Sequence, residues 1–157
     1  MPEGAAEDAV GASAQQNAIT APQTFCHGDY QYHNIIKAAD GWFLVNFEKC
    51  LPDDPIRDLY LLLRKLLEKG NWSVALGQSL MEAYEKERPI GVMSRIDLYY
   101  RLAYPEKFWK IVNYYYNSGK AWIPGRNQEK LEKLLSQEAE KQKFLDELFR
   151  DVTQLRK

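Results

Sequence analysis

A mainly α-helical domain with one small β-hairpin near its start is the fold class this sequence predicts, and three observations carry it. Two short apolar runs flank the pair Asp40-Gly41, a hairpin pattern. From Pro55 onward, apolar residues recur at helical spacing in successive stretches bounded by capping residues, glycines or prolines. The composition is that of an ordinary globular domain, 45% apolar and 27% charged over 157 residues. No run of about 18 apolar residues exists to span a bilayer. Lys and Arg number 21 against 22 Asp and Glu, so charge points to neither nucleic acid nor a membrane surface. The two cysteines, Cys26 and Cys50, form no C-x-x-C pair and no secretory leader precedes them, so they read as free, small, buried thiols of a cytoplasmic protein.

The elements follow in order. Residues 1–24 are Ala-rich, hold three acids (Glu3, Glu7, Asp8) and lack aromatics and bases, so they are expected to form a mobile tail. The folded body is expected over 25–157. Asn34–Lys37 and Trp42–Phe47 form the hairpin around Ala38-Ala-Asp-Gly41, and everything after it reads as helix. Asp54-Pro55 caps the first helix, whose stripe is Ile56, Leu59, Leu63, Leu66 and Leu67, and Gly70 ends it. The second helix runs from about Ser73 to Arg88, before Pro89. The third starts at Ser94 with Asp97 three residues on, as in a capping box. The fourth runs from Pro105 to near Gly119, and its Tyr114-Tyr-Tyr116 cluster must turn at least one ring toward the core. The last starts at Asn127 with a stripe of Leu131, Leu134, Leu135, Leu145, Leu148, Phe149 and Val152, and its charged face reads as solvated. Trp122 and Ile123, in the irregular segment between the last two helices, are candidate interface residues because such segments run over surfaces.

The informative stretch is His27-Gly-Asp-Tyr-Gln-Tyr-His-Asn34, which reads H-x-D-x-x-x-x-N and leads into the hairpin. Asp and Asn favour turns for ordinary reasons, so the octet alone fits a capped turn as well as a site. In phosphoryl transfer, however, a carboxylate must orient the attacking hydroxyl and accept its proton, and an Asn about five residues on turns its amide oxygen to a metal ion. His33 reads as a surface residue, and no Cys or carboxylate cluster completes a zinc set with the histidines.

With Asp54-Pro-Ile-Arg-Asp58-Leu59, this loop resembles that of the aminoglycoside- and choline-type phosphotransferases, which share the protein-kinase-like fold. Pro105–Ser118 and Lys120-Ala-Trp-Ile-Pro-Gly-Arg-Asn127 resemble the CotS family of bacterial spore coat proteins, a branch of that fold. The resemblance covers roughly residues 25–150. It implies the large, C-terminal lobe of a kinase-like fold, with Asp29 as catalytic base, His27 as a buried brace of the catalytic loop, Asn34 as a magnesium ligand and Asp58 as a brace of the loop's backbone. It also implies ATP and Mg²⁺ as cofactors, a small-molecule hydroxyl as acceptor, and other spore coat proteins as partners at the spore coat.

Two departures stand out. Where the family has an Asp after the hairpin, this chain reads Val45-Asn46-Phe47-Glu48. Mg²⁺ prefers charged oxygens, and at an effective dielectric near 20 a unit charge about 4 Å away contributes about 4 kcal/mol. Asn46 should therefore weaken the metal site greatly. Glu48, two positions along the strand and hence on the same face, is the expected substitute. Secondly, no Gly-rich turn and no Lys precede residue 25, so the large lobe is expected without the small one, and ATP binding by this chain alone is expected to be weak. Two readings follow: a kinase-like spore coat protein with an altered metal site, or an active ATP-dependent phosphotransferase seen as its large lobe.

Overall fold

The computed structural model describes residues 24–119 and 124–154, with side chains through residue 150. The expected tail, residues 1–23, and the candidate interface residues Trp122 and Ile123 lie outside the described residues, as does the side chain of Val152. Thr24, expected at the end of the tail, is the first residue of a strand.

Four short strands precede five helices: β1 (Thr24–Cys26), β2 (Ile35–Ala38), β3 (Gly41–Leu44), β4 (Leu51–Asp53), α1 (Ile56–Lys69), α2 (Val74–Glu87), α3 (Val92–Ala103), α4 (Glu106–Asn117) and α5 (Gly125–Gln154). The expected hairpin is β2–β3, with Ile35 opposite Leu44 and Ala38 opposite Gly41. Its two-residue loop is therefore Ala39-Asp40, and Gly41 opens the returning strand. A second antiparallel pair, β1–β4, joins Thr24 to Asp53 and Cys26 to Leu51. Nothing in the sequence marks this pair, because three residues are too few to show alternation and Pro52 speaks against a strand. An isolated two-stranded ladder accepts Pro because one side of each strand has no neighbour.

The helices build the core. Ile56, Leu59, Leu63 and Leu67 of α1 meet Leu98 and Leu102 of α3, and Phe144, Leu145 and Leu148 of α5 close over them. On α5, the expected stripe is partly overturned. Leu135 is 76% exposed and Phe149 half exposed, while Phe144 takes a core place. The reason lies on α2, where Gly77 lets α5 come so close that a Cβ there would sit 2.1 Å from the Phe144 ring. On α4 the buried residue is Ile111, and none of Tyr114, Tyr115 and Tyr116 reaches the core fully.

Helix ends follow local chemistry with two corrections. The Asp54 carboxylate accepts the Ile56 N–H at 2.9 Å, and Ser73 Oγ accepts the Leu76 N–H at the start of α2. Gly70 ends α1 but is not its left-handed residue; Asn71 and Trp72 take that conformation (φ 52° and 55°). For Trp72 this costs roughly 1–2 kcal/mol, offset by full burial of its indole beside Phe144. Helix α3 starts at Val92, not Ser94. Ser94 instead donates to Asp54 Oδ2 at 2.8 Å, tying α3 to the start of α1, and Asp97 pairs with Arg101. Among the described residues no helix is long and apolar enough to cross a membrane.

Candidate functional site

The chain leaves β1 at Cys26 and crosses to the hairpin through the loop 27–31 and a 3-10 turn at Tyr32–Asn34. This loop has almost no apolar content to hold it, so its shape rests on hydrogen bonds. Asp58, in the first turn of α1, accepts the His27 N–H at 2.6 Å on one carboxylate oxygen and the Gly28 N–H at 2.9 Å on the other. Its charge also suits the positive end of the helix. Gly28 is required at its position. Its φ is +74°, and a Cβ there would lie 2.1 Å from the carbonyl oxygen of Lys49.

The His27 ring is buried, and its two nitrogens have distinct tasks. Nδ1 accepts the Asp29 N–H at 3.2 Å, so Nε2 carries the proton and donates to the Val45 carbonyl at 2.8 Å. The neutral ring thus ties the loop to the strand that returns from the hairpin. Phe47 packs against it, ring centroids 4.7 Å apart. Asn34 is buried too. Its amide donates to the Asp29 carbonyl at 2.8 Å, and its backbone carbonyl accepts the Val45 N–H.

Asp29 stands at the open edge of this frame. Gln31 Nε2 donates to one of its oxygens at 2.8 Å and Lys49 Nζ to the other at 3.0 Å. The Lys49 hydrogen bond, with the charge of Lys49 behind it, holds the Asp29 carboxyl below the ordinary carboxylate range. Asp29 is thus ionised, partly exposed and fixed at both oxygens.

The expected metal residues are placed differently from the sequence reading. Asn46 does come beside Asn34, its Nδ2 donating to Asn34 Oδ1 at 2.8 Å. However, Asn46 adopts φ 66°, ψ 64°, and Phe47–Lys49 continue as a 3-10 turn. The strand has ended, so the alternation that put Glu48 on the face of Asn46 does not apply. Glu48 is exposed and hydrogen-bonds to nothing among the described residues. Asn46 tolerates this left-handed backbone because its short polar side chain costs little there. Among the described residues no three His, Cys, Asp or Glu side chains converge as a metal site. Two neutral amides joined to each other, beside a carboxylate already paired with a lysine, do not fit Mg²⁺.

Lys49 and Gln31 are the site residues the sequence reading missed. Its signal was a Lys three positions after the Asn that stands in place of an acid. The cysteines also divide. Cys26 is buried, with its thiol 3.5 and 3.4 Å from the carbonyl oxygens of Asp53 and Asp54. Burial, with the charges of Asp58, Asp53 and Asp54, pushes that thiol up, opposite to what a nucleophile needs. Cys50 is exposed, contrary to the expectation that both are buried, because it lies at the outer end of the 3-10 turn. His33 is exposed, as expected.

Behind the loop lies an apolar cavity of about 600 Å³ between the sheets and α1–α2, walled by Leu44, Leu62, Leu66, Leu80 and Tyr84. His27 and Asp58 touch it, but Asp29 and Asn34 do not, so it is not a pocket that presents a ligand to Asp29.

Comparison with known proteins identifies what the chain is similar to. The family described as "Spore coat putative kinase YutH" matches residues 8–148. Spore coat protein S of Bacillus subtilis (strain 168) is 29% identical over 126 residues, which make up 79% of this chain and 36% of that protein. An aminoglycoside phosphotransferase from Alicyclobacillus acidocaldarius subsp. acidocaldarius DSM 446 matches in structure with a TM-score of 0.75 at 25% identity, over 85% of this chain and 40% of that one. The chain thus spans well under half the length of either relative.

Proposed function

Because the chain belongs to the YutH family of kinase-like spore coat proteins, as its CotS-type motifs suggest, we propose that it is a spore coat component built on a phosphotransferase frame whose metal site has changed. The observation that carries this reading is Asn46, a neutral amide bonded to Asn34 where the family resemblance calls for a metal-binding carboxylate. The rest of the frame supports phosphotransferase ancestry. Asp58 braces the loop's backbone, neutral His27 ties loop to hairpin, and Asp29 stands at the open edge, where a base would meet an acceptor hydroxyl. The phosphotransferase relationship suggests ATP and Mg²⁺ for the family and a small-molecule hydroxyl as acceptor; the donor set of this chain favours the altered site over metal binding. The partners in this reading are other coat proteins.

A second reading, an active phosphotransferase on a small-molecule hydroxyl, is favoured by Asp29 being ionised and accessible. One pair of experiments separates the two. Immunodetection in extracts of the coat and in decoated spores should find the protein in the coat. Incubation with ATP and a panel of hydroxyl compounds should give no transfer that Asp29→Asn removes. Transfer abolished by Asp29→Asn would establish the enzyme in its place, and absence from coat extracts would overturn the coat role.

A further inference from the structure

Between α4 and α5 runs a groove that no residue of the loop after β1 lines. It consists of two adjoining depressions, of about 170 and 220 Å³, that share Lys107, Leu134 and Gln137 as walls. Each is smaller than the roughly 300–1,000 Å³ of a small-molecule site, so it suits a side chain rather than a cofactor. Ile111 and Gln137 are its buried lining. Around the first depression Tyr104, Phe108 and Leu135 are all exposed, Leu135 at 76%. Exposed apolar side chains gathered round a depression, rather than scattered singly, mark a contact surface.

Charge sets this groove apart from the chain as a whole. The net charge of the protein is −1, yet six cations line the two depressions against three acids, Glu68, Glu106 and Glu138. Two of those acids are already engaged. Glu68 pairs with Lys107 at 2.6 Å, and Glu106 pairs with Arg64 at 2.8 Å and with Lys110. The second depression is lined by four lysines and no acid. Of these, Lys130 and Lys133 are exposed on α5 and form no ion pair among the described residues. Their sequence neighbours Glu129 and Glu132 line neither depression. Like charges held side by side repel, and an anion laid between them relieves that repulsion.

We propose that this groove docks an acidic segment of a partner protein. Its carboxylates meet Lys130 and Lys133, and a large apolar side chain enters between Tyr104, Phe108 and Leu135. Opposite charge steers the segment in and selects it, while the apolar anchor holds it. The inference deepens the coat reading by naming the chemistry of a partner, and rests on that reading for where the partner resides.

The test is fluorescence anisotropy of a fluorescein-labelled peptide of repeating Glu-Glu-Phe-Glu, titrated with the full chain. Binding should saturate and should weaken with added NaCl. Replacing both free lysines, Lys130→Glu with Lys133→Glu, should weaken it by about tenfold or more, since like charges then face each other. Both side chains are exposed and unpaired, so circular dichroism should show an unchanged fold. Leu135→Gln should weaken binding severalfold. Lys86→Glu, the same charge change at an exposed lysine of α2, should leave it unaltered. No saturation, or binding that survives the double variant or falls equally with Lys86→Glu, overturns the proposal. Equal affinity for a Glu-Glu-Ala-Glu peptide or for a DNA oligonucleotide also overturns it, and makes the groove a general polyanion surface. Self-association in sedimentation velocity that the double variant abolishes assigns the groove to a second copy instead. Recovery of the unaltered chain in coat extracts tests the coat reading separately and does not depend on any of these outcomes.

Discussion

The leucine interface of α1, α3 and α5 and the polar loop between β1 and β2 meet at α1, yet different forces hold them. In the first, Leu63, Leu67, Leu98 and Leu102 are at most 1% exposed, and the stabilisation comes from apolar area removed from water. In the second, short bonds from Asp58, His27 and Asn34 fix the backbone, while nearby Phe25 and Trp42 stay largely exposed. Burial is non-directional and tolerates changes of shape, whereas hydrogen bonds to a carboxylate are directional and do not. Changes among the leucines should therefore disturb the site less than changes at Asp58, His27 or Asn34, whose hydrogen bonds fix the loop.

The largest effect should come from the core. Leu63→Ala should cost about 2–5 kcal/mol in urea unfolding, with the amide resonances of the loop little shifted in the molecules that remain folded. Next comes Gly28→Ala, which combines a left-handed φ with a collision against the Lys49 carbonyl and should cost about 1–3 kcal/mol. Gly41→Ala is the matched control. Its φ is also positive, but a Cβ there meets nothing within 4 Å, so its cost should be clearly smaller. If the two glycine variants lose the same stability, the close packing of turn on loop is unimportant and the comparison above breaks.

Asp58→Asn should have a smaller global effect, about 1–2 kcal/mol, because one acceptor oxygen remains for two N–H donors. Its sharper readout is hydrogen exchange, faster at the His27 and Gly28 amides and unchanged in α3. The smallest effect concerns acid. Burial alone would push Glu106 up, but its hydrogen bond to Lys110, with Arg64 and Lys110 charges nearby, outweighs that and holds its carboxyl below the usual range. Its contribution is thus present above the unfolded value of 4.5 and is lost as pH falls through the lower folded value. Glu106→Gln should flatten that acid limb of the stability profile and leave the neutral range of the curve with the same slope.

The sequence made these two halves legible to different degrees. Helical periodicity is repeated over many residues, so α1 and α2 appeared nearly to the residue, and Asp54 and Ser73 marked their starts. The α3 start was misread because Ser94 caps nothing on its own helix and reaches instead to Asp54, a contact with no sequence pattern. At the site, His27, Asp29 and Asn34 were legible because their chemistry lies within eight consecutive residues. Glu48 was misplaced because a single left-handed residue, Asn46, ends the alternation, and a dihedral angle leaves no periodic trace. Lys49 went unseen for the same reason: its approach to Asp29 depends on the turn that Asn46 begins.

That turn leaves Cys50 in the open beside Asp29's partner lysine, while Cys26 is buried on β1 opposite Leu51. A maleimide reagent at neutral pH should therefore modify Cys50 and spare Cys26 in the folded protein. The natural sequence thus offers a single attachment point for a fluorophore one residue from Lys49, so occupancy of the loop can be read optically without altering any side chain that shapes it.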